Sequence, residues 1–223
     1  MRLIAYPDRD TLYHALARVL ADGLSTALVA QGRASLSVPG GTSPGPVFDL
    51  LAEMPLDWAK VAVFLNDERW VGEDSPRSNT RLLRDRLLRG PAAKAQLVPL
   101  YAPAARPEDQ LTALSAGLAP HLPISVLLLG MGADMHTASL FPGADLFTQA
   151  LAADAPPLMA LRAEAAGEPR VTLTAPVLRA AEAIHILITG AEKRAAITRA
   201  WDLPPEQAPI RAVLDNATVH WAE

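Results

Sequence analysis

Four short apolar runs in this chain, residues 34–38, 61–65, 124–129 and 183–188, each stop at a turn rich in glycine or charge. Runs of this length with Val, Ile and Leu at successive positions read as strands buried on both faces, and such strands belong to a parallel sheet covered by helices. Helical spacing supplies the cover: Leu12, Leu16, Val19, Leu20 and Leu24 follow a candidate cap at Asp8 or Asp10. The expectation is an open α/β sheet whose ligand sits beyond the carboxyl ends of its strands, where turns can be shaped for chemistry while the sheet holds them still.

The run at 124–129 delivers the most reactive of these turns. Gly130, Met131, Gly132, Ala133, Asp134, Met135 and His136 follow it, with Thr137 and Ser139 close behind. A single His after a strand is more often a turn residue than a base. Here the flanking glycines permit close approach to a ligand, and Asp134 stands where it can orient the imidazole or share its proton. Ser139 lacks a G-x-S-x-G setting and is not read as a nucleophile.

Two other turns point to an anion. After residues 34–38 comes Pro39-Gly40-Gly41-Thr42-Ser43-Pro44-Gly45-Pro46, then a helix start. Exposed amides, the helix dipole and two hydroxyls favour a phosphate there, although a Gly/Pro turn is as readily ordinary punctuation. It has neither the Lys of a Walker loop nor dinucleotide spacing. After residues 183–188, Gly190 precedes Lys193 in the first turn of a helix, where a cation opposes the dipole unless an anion lies close by. The run at 61–65 ends in Asn66-Asp67-Glu68-Arg69-Trp70-Val71, read as a charged loop that brings Asp67 and Arg69 to the same rim.

Composition narrows the function classes. At 223 residues with 50% hydrophobic side chains the chain can bury a sizeable core, and one domain spanning 1–223 is expected. A net charge of −4 without a Lys/Arg-rich run argues against nucleic acid or an anionic membrane surface. No cysteine is present, which removes thiolate metal sites and cysteine nucleophiles. Residues 1–7 turn polar too soon for a signal segment and no apolar run approaches a membrane span, so a cytoplasmic protein, monomer or homodimer, is expected. Elsewhere, residues 3–6, 97–100 and 170–174 read as strands, 80–88 and 107–118 as helices, 210–214 and 218–221 as short edge strands, and 144–167 as an excursion covering the site.

Taken together, five motifs in order give the chain a resemblance to the 6-phosphogluconolactonase family, within the larger group that includes glucosamine-6-phosphate deaminases. They are Gly40-Gly41-Thr42-Ser43-Pro44, Asp67-Glu68-Arg69 with Ser78-Asn79 downstream, Gly130 to Gly143, Pro169 to Thr174, and Gly190 with Lys193. The resemblance implies a modified doubly wound, Rossmann-like, mostly parallel sheet with a small edge or lid elaboration, no cofactor, no metal, and hydrolysis of a sugar-phosphate lactone. By the same likeness Gly41, Thr42, Arg170 and Lys193 would hold phosphate, Gly40 and Ser43 would belong to the same substrate-binding turn, Asp67 and Arg69 would face substrate, and His136 would be the base. Two alternatives remain: a deaminase, which has an Asn-Glu-Pro type segment where this chain has Ser139-Leu140-Phe141-Pro142, and a sugar-phosphate sensor without turnover. The family has Gly where this chain has Met135. If φ is positive there, Met costs on the order of 1 kcal/mol or more and its side chain narrows the pocket.

Overall fold

The computed structural model describes residues 1–223, the side chain of Ala165 excepted. Its strands are β1 (Arg2–Ala5), β2 (Ala34–Val38), β3 (Val61–Leu65), β4 (Asp67–Arg69), β5 (Gln96–Leu97), β6 (Val126–Gly130), β7 (Leu158–Leu161), β8 (Arg170–Leu173), β9 (Ala183–Thr189) and β10 (Ala217–Ala222). Helices are α1 (Arg9–Gln31), α2 (Gly45–Ala52), α3 (Asn79–Arg86), α4 (Leu111–Leu118), α5 (Phe147–Leu151), α6 (Ala175–Arg179) and α7 (Ala191–Ala200). Seven strands form a parallel sheet in the order β1-β10-β9-β6-β2-β3-β5, and β4-β8-β7 form a separate antiparallel sheet.

The doubly wound α/β fold follows from the apolar runs. Every residue of β2 and β3 is buried, and Leu127, Leu128 and Leu129 of β6 are fully so. Each such leucine contributes about 1.5–3 kcal/mol on burial, which favours a strand covered on both faces over one turned to water. Helix α1 supplies much of that cover. Its start is fixed by Asp8, whose side chain accepts the Thr11 amide at 2.7 Å, and its end by Gly32 at φ 71°.

Chain order reverses between β2 and β6: from β2 the chain proceeds outward to β3, and from β6 it proceeds the other way to β9. Their two following loops therefore diverge and leave a crevice at the carboxyl edge. Buried Asn66 ties this edge together. Its side chain accepts from Ser37 Oγ at 2.6 Å and donates to the Leu128 carbonyl at 2.8 Å, while its own carbonyl accepts the Leu173 amide at 2.9 Å.

Several local expectations are corrected. Residues 67–69 are not loop but strand β4, because pairing with β8 and the burial of Asp67 and Glu68 inside the second sheet outweigh their charge. Residues 210–214 lie in a 3-10 helix, Pro209–Asn216, and 218–221 belong to β10, which is internal between β1 and β9 rather than at an edge. A short apolar run carries no period that distinguishes these outcomes. The strand expected at 97–100 stops at Leu97, just ahead of Pro99, which has no N–H to donate. Within 144–167 the structure has α5 and β7, and β7 forms one outer strand of the small sheet, β4 the other.

Candidate active site

The loop after β6 is built by close contacts that few sequences allow. The Met135 amide donates to Gly132 O and the Gly132 amide to His136 O, both at 3.0 Å, folding residues 132–136 into a tight turn. An added Cβ at Gly132 would lie 2.3 Å from His136 Nδ1, so this position accepts no side chain. Met135 sits at φ 67°, the left-handed region that the family glycine tolerates freely. Its side chain is buried in the core and is not among the residues lining the cavity, so it does not narrow the pocket.

His136 is held from one side by Asp134, whose Oδ1 lies 2.5 Å from Nδ1. A carboxylate accepts, so Nδ1 carries a proton in this contact; His136 lines the cavity, and its Nε2 makes no protein hydrogen bond among the described residues. A second tight turn follows. Ala138 takes φ 48°, and the Leu140 amide donates to Thr137 O at 3.0 Å. This turn sends Ser139 inward, where its hydroxyl donates to Asp67 Oδ2 at 2.5 Å and its amide to Thr172 Oγ1 at 3.2 Å. Ser139 is fully buried and anchors Asp67.

Across the crevice, Gly41 adopts φ 86°, and the amides of Gly41, Thr42 and Ser43 make no backbone hydrogen bond among the described residues. They stand ahead of α2 with their donors unused. An added Cβ at Gly40 would fall 2.1 Å from Asn79 Oδ1, and Asn79 in turn donates to the Asp67 carbonyl at 3.0 Å. Asn79 thus braces the cradle against β4. Glu68, completely buried, accepts the Arg69 and Asn79 amides at 2.8 Å and the Thr80 amide and hydroxyl at 2.7 Å. A carboxylate at the start of α3 satisfies amides that have no partner within the helix and complements its dipole.

These pieces enclose a cavity of about 450 Å³ lined by Gly40, Gly41, Thr42, Ser43, Asp67, Arg69, His136, Phe141, Arg170 and Lys193 among others. Two arginines and a lysine line the cavity with one aspartate, although the chain as a whole has net charge −4. Arg170 is buried, its Nη1 lies 3.6 Å from Asp67 and its Nη2 donates to Ala166 O at 3.1 Å. Burial lowers its pKa from the ordinary guanidinium value, Asp67 opposes that shift and nearby Arg69 adds to it. The Nε atoms of Arg69 and Arg170 are both buried without a hydrogen-bond partner. Buried donors left open beside surplus positive charge suit an anion with several acceptor oxygens.

The sequence model of the glucosamine-6-phosphate isomerases/6-phosphogluconolactonase matches residues 7–221. A 6-phosphogluconolactonase of Mesorhizobium japonicum is 44% identical over 98% of this chain and 94% of its own length, and one of Rhizobium meliloti is 41% identical over 93% and 94%. The crystal structure of a 6-phosphogluconolactonase from Shewanella baltica superposes with TM-score 0.96 at 31% identity, covering 100% of this chain and 98% of that one. The chain belongs to this family.

Of the residues singled out in the sequence, the structure brings Gly40, Gly41, Thr42, Ser43, Asp67, Arg69, His136, Arg170 and Lys193 to the one cavity; Asp134 stands behind His136 and does not line it. Lys193 occupies the first turn of α7 and is partly exposed. Sequence reasoning missed Phe141 and the bracing role of Glu68. A signal for Glu68 was present, since Ser78-Asn79-Thr80 reads as a helix start in need of a carboxylate, but the carboxylate is ten or more residues upstream.

Proposed function

We propose that the chain hydrolyses 6-phospho-D-glucono-1,5-lactone to 6-phosphogluconate, the lactone step of the oxidative pentose phosphate pathway. The observation that carries this reading is that a histidine with a free Nε2 and a surplus of cations open on the same cavity. The relatives named above carry that activity in their names, and their match runs nearly the full length of the chain.

In this reading the phosphate lies against the free amides of residues 41–43, the Thr42 and Ser43 hydroxyls, Arg170 and Lys193. The lactone ring then reaches toward His136. Nε2 takes a proton from water as its oxygen attacks C1, and the negative charge on the C1 oxygen is met by Arg69 or by backbone amides. The tetrahedral intermediate collapses with cleavage of the bond between C1 and the ring oxygen, and the imidazolium returns its proton to that oxygen. Asp134 holds the tautomer throughout, and Asp67, fixed by Ser139 and Arg170, orients sugar hydroxyls. The chain has Phe141 directly before Pro142, where the Asn-Glu-Pro type segment of the deaminases has a carboxylate, which favours this reaction over deamination.

The test is acid release from freshly generated lactone, with the spontaneous rate subtracted, beside ammonia release from glucosamine 6-phosphate. Hydrolysis well above background without ammonia is expected. Ammonia release, or binding of 6-phosphogluconate with no turnover of the lactone, overturns the reading.

A further inference from the structure

The ring of Phe141 lines the cavity close to both His136 and Arg170. Its centroid is 4.3 Å from that of the His136 imidazole with the planes inclined by 37°, and the Arg170 guanidinium carbon is 5.8 Å from the same centroid. Aromatic faces at these distances attract both an imidazole and a cation. Asp134 alone does not determine the imidazole plane. A hydrogen bond at one ring atom leaves the ring free to swing, and the Asp134 side chain is 57% exposed, so water and salt compete for it.

Phe141 itself is firmly placed. Its amide donates to Ser139 O at 3.0 Å and its carbonyl accepts the Ala144 amide at 3.1 Å, while Ser139 is anchored to Asp67 and Thr172. The ring is therefore carried on backbone fixed to β4 and β8.

We propose that Phe141 is a positioning residue that sets the plane of His136 and shares its other contact with Arg170, so that base and phosphate ligand keep one spacing. This role rests on the function proposed above. Arg170 has further anchors at Ala166 O and Asp67, whereas the face of His136 has this contact at close range. Loss of the ring consequently falls on turnover more than on binding.

The experiment compares wild type, Phe141→Leu and Phe141→Tyr in steady-state kinetics and in NMR of the histidine ring protons, with His136 assigned by the signal missing from His136→Gln. In Phe141→Leu, kcat is expected to fall roughly 10- to 100-fold, the scale of a small misplacement of a catalytic group. KM should stay within about threefold, since uniform binding is little changed. Phe141→Tyr should recover most of the turnover. The His136 ring protons, shielded by the neighbouring ring in wild type and Phe141→Tyr, should move downfield in Phe141→Leu. A wild-type chain that leaves the lactone untouched overturns the proposed reaction and this role with it. A wild type that turns over overturns this role alone if folded Phe141→Leu keeps its kcat, loses only KM, or leaves the His136 resonances in place.

Discussion

Two buried polar groups of side chains in this molecule differ in one respect: one is closed on itself and the other is open. On the β1, β10 and β9 side, the Tyr6 hydroxyl and His220 Nδ1 are hydrogen-bonded at 2.9 Å, and His220 Nε2 meets His185 Nδ1 at 3.1 Å. That chain of groups makes its hydrogen bonds internally. At the carboxyl edge, by contrast, Arg69 and Arg170 each keep an Nε without a partner beside three unused amides. An unmet buried donor costs about 1–3 kcal/mol, so a fold keeps few of them away from a ligand site. The difference separates polar side chains that pair within the fold from polar side chains whose donors are left unpaired at the cavity.

The largest expected effect tests the open site. His136→Ala should lower kcat by about 10²- to 10⁴-fold and leave 6-phosphogluconate affinity nearly intact, as read by single-turnover kinetics and calorimetry. Equal loss of binding and turnover would make His136 a ligand rather than a base.

Next in size is the closed cluster. Burial first, then His185 and Arg2, lower the His220 pKa from 6.5 to about 4. His185 is shifted in the same direction by burial. Both groups are neutral in the folded chain while the unfolded chain takes up protons below pH 6.5. Their stabilising effect is thus complete above about pH 6.5 and is lost as pH falls toward 4, by about 3 kcal/mol for His220. Urea unfolding at pH 7 and pH 4.5 should show this slope, and His220→Gln should flatten it. An unchanged slope in His220→Gln would mean that the cluster does not exclude the proton.

Arg170→Ala should raise KM roughly 10- to 100-fold, the value of one or two charge-assisted hydrogen bonds, with inorganic phosphate losing its competition in parallel. Lys193→Ala, partly exposed, should do the same more weakly. Unaltered KM in both would move the anion site elsewhere.

The smallest effect concerns Met135. Glycine there would relieve about 1–2 kcal/mol of left-handed strain, but it removes a buried side chain worth about 1.5–3 kcal/mol and adds about 0.5–1 kcal/mol of chain entropy. Burial wins, so Met135→Gly should destabilise by about 1 kcal/mol and lower Tm by roughly 2–4 °C. Its kcat and KM should hardly move, because the side chain faces the core. A large kinetic change would place Met135 at the substrate after all.

The sequence alone determined the parallel sheet, the cradle and the His loop, because each is a local pattern: an apolar run, glycines at turns that exclude a side chain, and a helix start within a few residues. Gly41 at φ 86° and Gly132 against the imidazole are demands that chain geometry makes of its nearest neighbours. Tertiary structure alone decided the rest. Ser139 meets Asp67 across 72 residues, Glu68 caps a helix that begins eleven residues later, and the ring of Phe141 touches both His136 and Arg170. Charged residues 67–69 looked like loop because a sequence shows charge without its partners. Burial and pairing depend on which distant segments the fold brings together, and no period along the chain encodes that.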